Sequence, residues 1–224
     1  GGRITTERIP DARYRQFLSG TGLAAWLLYQ RIPAGADPLG PENILGFMSG
    51  VLTASGSLFT GRWMAVGKSP LTGTWGDCHC GGNLAPGIKG CGVDGIFFTG
   101  RSQRPVYLYA DTSGAQLRDA THLWGQDAIV TERLLTDTHG KKQRARVACI
   151  GMAGERRSLI AGIVNQGGRL AARSGLGAVM GSKNLKAIVL CGAHRVHAFD
   201  PKRMKALSQA CNEHVAFQPP FLNG

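Results

Sequence analysis

The chain has 224 residues, 43% hydrophobic and 18% charged, with 26 basic against 14 acidic side chains and a formal net charge of +12. This is the composition of a chain that buries a core, and no run of about 18 apolar residues offers a membrane span. The positive excess calls for anionic partners, but the basic residues are scattered and no aromatic-interleaved platform accompanies them, which speaks against nucleic acid.

In chain order, Phe17, Leu23, Trp26 and Leu27 are spaced for helices over Arg13 to Gln30. Gly20-Thr21-Gly22 interrupts them as a turn, with the second helix over Leu23 to Arg31. Pro33 to Pro41 is a loop by composition. Ile44 to Leu52 and Trp63 to Val66 read as strands around the small-residue loop Thr53 to Gly61. Asp94 to Gly100, Pro105 to Ala110 and Ala115 to Asp119 read as three strands of one meander. Ala128 to Thr138 reads as a helix with Ile129, Leu134 and Leu135 on its apolar side. The basic run Lys141-Lys142-Gln143-Arg144-Ala145-Arg146 is expected in a solvated turn before a strand over Ala145 to Ile150. Leu159 to Val164 is a short apolar element, and Leu185 to Cys191 a further strand. Asp200-Pro201 supplies an N-cap and a first-turn proline for a helix to about Val215.

The six cysteines form no C-x-x-C pair and no disulfide-like framework, which fits a reducing, cytoplasmic setting. Cys149 and Cys191 lie in apolar runs, where a thiol acts as a small hydrophobe. On a strand, Cys78 and Cys80 would share one face and His79 would take the other. Two such cysteines alone make a poor metal site.

The tract from Gly167 to Ala187 packs five glycines, two arginines and two lysines into one stretch. Glycine allows positive φ and close backbone approach, and successive N–H groups in such turns bind anions. Arg169 and Arg173 add bidentate forks for phosphate oxygens. The tract therefore reads as a cradle for a phosphorylated cofactor. It is not a Walker loop, and no G-x-G-x-x-G follows a strand. A faint duplication relates Gly61-Arg62 and Gly67-Lys68 to Gly168-Arg169 and Gly181-Ser182-Lys183, as if two halves held a symmetric, doubly phosphorylated ligand.

Four strings carry a resemblance: Asp37-Pro38-Leu39-Gly40-Pro41-Glu42-Asn43, Lys68-Ser69-Pro70-Leu71-Thr72-Gly73, Gly168 to Arg173, and Gly177 to Ile188. Pro105 to Tyr109 and His122 to Gly125 add to it. In this order they resemble the tungsten-dependent aldehyde ferredoxin oxidoreductases, over nearly the whole chain to about residue 200. The resemblance implies an α+β fold: two mixed or antiparallel sheets with a few helices, in a pseudo-twofold base that carries a bis-pterin cofactor. It implies a tungsten bis-molybdopterin cofactor whose phosphates are bridged by magnesium. The magnesium would take backbone carbonyls of His79 and Leu170, where the family usually has Asn and Ala. Arg62 and Arg169 match its phosphate-binding arginines, and Gly81 and Gly82 its close-approach glycines. Ala172, Arg173 and Asn184 match positions in the same cradle, Ala172 standing where the family has Gly. The family's Gly-Arg-Gly appears as Gly20-Thr21-Gly22.

The resemblance further implies that residues 1–199 form the cofactor-binding domain and 200–224 begin a helical second one. Both ends of the chain read as cut, and a 4Fe-4S cluster and the catalytic residues are expected downstream. The implied activity is oxidation of an aldehyde to a carboxylic acid, with electrons passed to ferredoxin or an electron-transfer subunit. The alternatives are reduction of an aromatic acyl-CoA and a non-catalytic cofactor-binding fragment. A homodimer is compatible with either enzyme.

Overall fold

The structure is a computed structural model, described here for residues 2–216. Helices α1 (Asp11–Phe17) and α2 (Thr21–Arg31) are separated by a turn in which Leu18 and Gly20 both take positive φ. At φ +64 a side chain on Gly20 would be strained, and its Cβ would also press on the mobile end of Met64. Helix α2 buries Leu23, Ala24, Leu27 and Leu28, one helical stripe, against Met48, Met64 and Val66.

Ten strands follow: β1 (Leu45–Ser49), β2 (Trp63–Lys68), β3 (Trp75–Cys80), β4 (Gly95–Phe98), β5 (Val106–Asp111), β6 (Gly114–Asp119), β7 (Arg146–Cys149), β8 (Ile163–Asn165), β9 (Arg169–Ala171) and β10 (Leu185–Leu190). Five further helices are interleaved: α3 (Leu84–Gly90), α4 (Ala128–Gln143), α5 (Met152–Glu155), α6 (Leu176–Ser182) and α7 (Pro201–Ala216). They form a four-stranded sheet of order β3-β2-β1-β4 and a six-stranded sheet of order β6-β5-β10-β7-β8-β9.

The duplication is real at the level of topology. Units β1-β2-β3-α3-β4 and β7-β8-β9-α6-β10 have the same strand order, every pairing within each unit being antiparallel. The strand ends align the two ladders, β2 and β8 beginning at Trp63 and Ile163 and β3 and β9 ending at Cys80 and Ala171. Phe47↔Ala65 and Phe47↔Ile96 in the first unit correspond to Ala148↔Asn165 and Ala148↔Ile188 in the second. The lysines assigned to the duplication take no part in it. Lys68 Nζ donates to the Ala36 carbonyl, and Lys183 Nζ to those of Asn43 and Gly100.

The inner faces of both sheets enclose one core containing Phe47, Trp63, Ile163 and Ile188, with α3 and α6 between them. Each helix packs on strands of both units, α3 on β1 as well as β7 and β10, α6 on β10 as well as β1, β2 and β3. Helix α6 is buried along its whole length. Its glycines serve that packing: a Cβ on Gly177 would meet Gly162 O at 2.4 Å, and one on Gly181 would meet Gly154 O at 1.9 Å.

The expected three-strand meander is corrected. Strands β5 and β6 are a hairpin, but β4 belongs to the other sheet, paired with β1. Neighbours in sequence suggested a hairpin, yet Ile96 and Phe98 join the inner core, and the 99–105 segment crosses between sheets. Helix α4 covers the outer face of the second sheet with Ala128, Thr131 and Leu135, spacing i, i+3, i+7. Ile129 and Leu134 lie off this stripe at 47% and 41% exposure, so only Leu135 of the three expected positions is core. The helix runs on to Gln143, so the basic run begins in a last helical turn instead of a loop. Helix α7 starts where its cap was read, Arg203 N donating to Asp200 Oδ1 at 2.9 Å. The end of the proposed second domain, 217–224, lies outside the described residues.

Candidate functional site

Strands β3 and β9 are the corresponding edge strands of the two sheets, and they meet. In β3, Met64↔His79 and Trp63↔Cys80 are paired; in β9, Val164↔Leu170 and Ile163↔Ala171 are paired. Cys80 and Ala171 are therefore equivalent, and both are buried in the core. His79 and Leu170 are equivalent too, and both are exposed at the seam. The alternation read for Cys78, His79 and Cys80 holds, with both thiols buried and His79 on the open face.

Side chains stitch the seam. Arg173 N donates to Cys78 Sγ at 3.3 Å, and Ser174 Oγ donates to the Asp77 carbonyl at 3.1 Å. Asn165 Nδ2 reaches both Cys80 Sγ, at 3.2 Å, and the Arg169 carbonyl, at 3.3 Å. Trp63 Nε1 donates to the Gly81 carbonyl at 3.2 Å, fixing the chain as it leaves β3.

The two arginines converge here from different elements. Arg62, exposed just before β2, reaches the His79 carbonyl through Nη1 at 3.5 Å, the outer limit of a hydrogen bond. Arg169, the first residue of β9, runs beside the Gly81-Gly82 turn. A Cβ on Gly81 would touch its Nη1 at 3.4 Å, and one on Gly82 would touch its Cδ at 3.3 Å. Both guanidinium groups act on Cys80. Burial raises that thiol's pKa above the ordinary value, while the Asn165 hydrogen bond and the charges of Arg169 and Arg62 oppose the rise. Gly82 has φ +108, and a Cβ there would lie 2.2 Å from Asn165 Oδ1, so glycine is required twice over.

Arg62, His79, Gly81, Gly82, Arg169, Leu170, Ala172 and Arg173 thus lie along this one seam, on or beside its edge strands. Asn184 does not join them. It turns the chain from α6 into β10 with φ 55, its amide donating to the Ser102 carbonyl at 2.7 Å. Nor do the tract's lysines. Lys186 is fully buried against Glu155, and Lys183 is buried among carbonyls, where desolvation lowers its pKa to about 8. Of the tract, Arg169 and Arg173 lie at the seam, the turn at Gly167 and Gly168 meets α4 through Glu132 and Ile129, and the later glycines pack α6.

Three residues were missed in the sequence. Asp77 and Thr21 both contact His79 Nε2, at 3.1 and 3.3 Å, holding the imidazole away from the core. Asn165 is the third. None carries a spacing signal, because strand pairing and the α1–α2 turn bring them together. Among the described residues no group of three or more His, Cys, Asp or Glu side chains is placed to hold a metal. A groove of about 310 Å³ lined by Val51, Leu52, Phe199, Met204 and Leu207 shares no residue with the seam.

The seam combines two guanidinium groups, equivalent backbone positions on two edge strands and a glycine turn without side-chain bulk. Hard oxygen ligands and cations of this kind suit a magnesium ion with phosphates, which needs no carboxylate cage. The arrangement fits the phosphate end of a doubly phosphorylated ligand.

The sequence model of the family described as aldehyde ferredoxin oxidoreductase, N-terminal domain, matches residues 1–192. The tungsten-containing aldehyde ferredoxin oxidoreductase of Pyrococcus horikoshii is 39% identical over 199 residues, covering 89% of this chain and 33% of that protein. The aliphatic sulfonate oxidoreductase, WOR-like subunit, of Pyrococcus furiosus is 32% identical over 225 residues, covering 91% and 36%. Among solved structures, the active site complex BamBC of benzoyl coenzyme A reductase with 1,5-dienoyl-CoA superposes with a TM-score of 0.92 at 34% identity, over 96% of this chain and 33% of that one. The chain thus spans about a third of the length of the relatives it matches.

Proposed function

This chain belongs to the aldehyde ferredoxin oxidoreductase family, matching its amino-terminal domain, and we propose that the β3–β9 seam holds the phosphate end of a tungsten bis-pterin cofactor. One observation carries the reading: His79 and Leu170 occupy equivalent places on two meeting edge strands, with Arg62 and Arg169 beside them. On this reading their carbonyls would be the chain's oxygen ligands for a magnesium ion. Arg62 and Arg169 neutralise the remaining phosphate charge, and Gly81 and Gly82 let the backbone come close. Arg173 and Ala172 border the second limb. When bound, the tungsten bis-pterin group would supply two-electron redox chemistry. The residues of this chain orient it and balance its charge.

In the whole enzyme we assign oxidation of an aldehyde to a carboxylic acid, with electrons leaving through a 4Fe-4S cluster to ferredoxin, in the cytoplasm. Residues 1–199 would be the cofactor-binding domain, followed by a helical one. The likeness to BamBC supports a second reading, reduction of an aromatic acyl-CoA on the same base. The test is metal content. In anaerobically purified protein, Arg62→Ala and Arg169→Ala should each lower bound tungsten several-fold with the fold intact. Unchanged tungsten in both variants would remove the seam from the cofactor's site. Turnover of aldehydes against acyl-CoA thioesters by the loaded wild type separates the two activities.

A further inference from the structure

Asn165 closes β8 and is fully buried, yet the fold does not ask for a polar residue there. Its equivalent in the first unit, by register, is Ala65. Its hydrogen bonds are weak for a buried amide: Nδ2 donates to a thiol sulfur, a poor acceptor, and to one carbonyl. Its Oδ1 has no hydrogen-bond partner and abuts Gly82. A buried amide so poorly repaid in hydrogen bonds asks for an explanation beyond packing.

The explanation lies in what it joins. Cys80 directly follows His79, and Arg169 directly precedes Leu170. One planar amide therefore ties together the immediate neighbours of the two residues whose carbonyls would take the proposed magnesium, while its oxygen bears on the Gly81-Gly82 turn. Resting on that cradle reading, we propose that Asn165 is a positioning residue: it sets the separation of the His79 and Leu170 limbs, so that one ion can engage both.

The test compares a ligand that needs both limbs with one that needs only the arginines. Magnesium pyrophosphate is the first probe and inorganic phosphate without metal the second, each titrated calorimetrically into the purified protein. In Asn165→Leu, magnesium pyrophosphate should bind about tenfold or more weakly, the loss usual for a residue that orients metal ligands. Phosphate affinity should stay within a factor of two, roughly, since Arg62 and Arg169 remain. Should Asn165→Leu not fold, Asn165→Ala removes the same two bonds and is read in its place. Equal loss of both ligands would mean general damage and overturn the proposal, as would unchanged binding of both. If the wild type binds neither probe, the cradle reading itself falls, and this inference with it.

Discussion

Replacing Lys186 with methionine tests the one ion pair among the described residues whose two side chains are both buried. Lys186 on β10 is fully buried and Glu155 at the end of α5 is 5% exposed. The ammonium also donates to the Gln126 carbonyl at 2.8 Å, and the carboxylate accepts from Gly125 N at 2.9 and 3.0 Å. Methionine fills the lysine's volume but strands a buried carboxylate with a single backbone donor. Breaking one side of a buried pair costs about 3–5 kcal/mol. At roughly 2–4 °C per kcal/mol for a domain of this size, thermal unfolding followed by circular dichroism should shift down by about 6–20 °C. The double variant Lys186→Met, Glu155→Leu should regain most of the loss, since an apolar pair of similar volume replaces the ions. A single variant within about 1 kcal/mol of wild type would refute the reasoning, as would a double variant no more stable than the single.

Lys183 gives a pH signature. Its folded pKa is about 8 against an ordinary 10.5, so between these values the unfolded chain binds more protons and its contribution to stability rises with pH. Urea titrations at the two ends of that window should show wild type gaining on Lys183→Met, and parallel behaviour would contradict the buried-cation account. Gly181→Ala places a Cβ 1.9 Å from the Gly154 carbonyl and should destabilise by about 1–3 kcal/mol. Gly56→Ala, at φ +92 but with open space around it, separates the strain of backbone conformation from the clash.

The sequence carried the strands whose apolar residues alternate or run together, β1, β2, β5, β7 and β10, and the capped start of α7. It hid α6, because Leu-Gly-Ala-Val-Met-Gly-Ser has apolar and small residues on every side, as a helix between two sheets must, and glycines there suggest a loop. It hid β9, three residues long, for want of length. For the site, the arginines were legible as types suited to phosphate, whereas Gly81 and Gly82 came only from the family resemblance. The lysines were placed in the cradle by nearness in sequence to Arg169 and Asn184 by the family resemblance, whereas α6 carries the chain from β9 to the start of β10, where Asn184 bonds Ser102. Asn165 was invisible because its role depends on a strand pairing that no local pattern encodes.

The position of α3 and α6 between the two sheets has a consequence for how the chain folds. Each helix packs on strands of both halves, so either half taken alone would leave one face of its helix uncovered. The two repeats are therefore expected to order together. The seam between β3 and β9 comes into being only at that point, so a correctly spaced pair of carbonyl limbs is itself a report that both halves are complete.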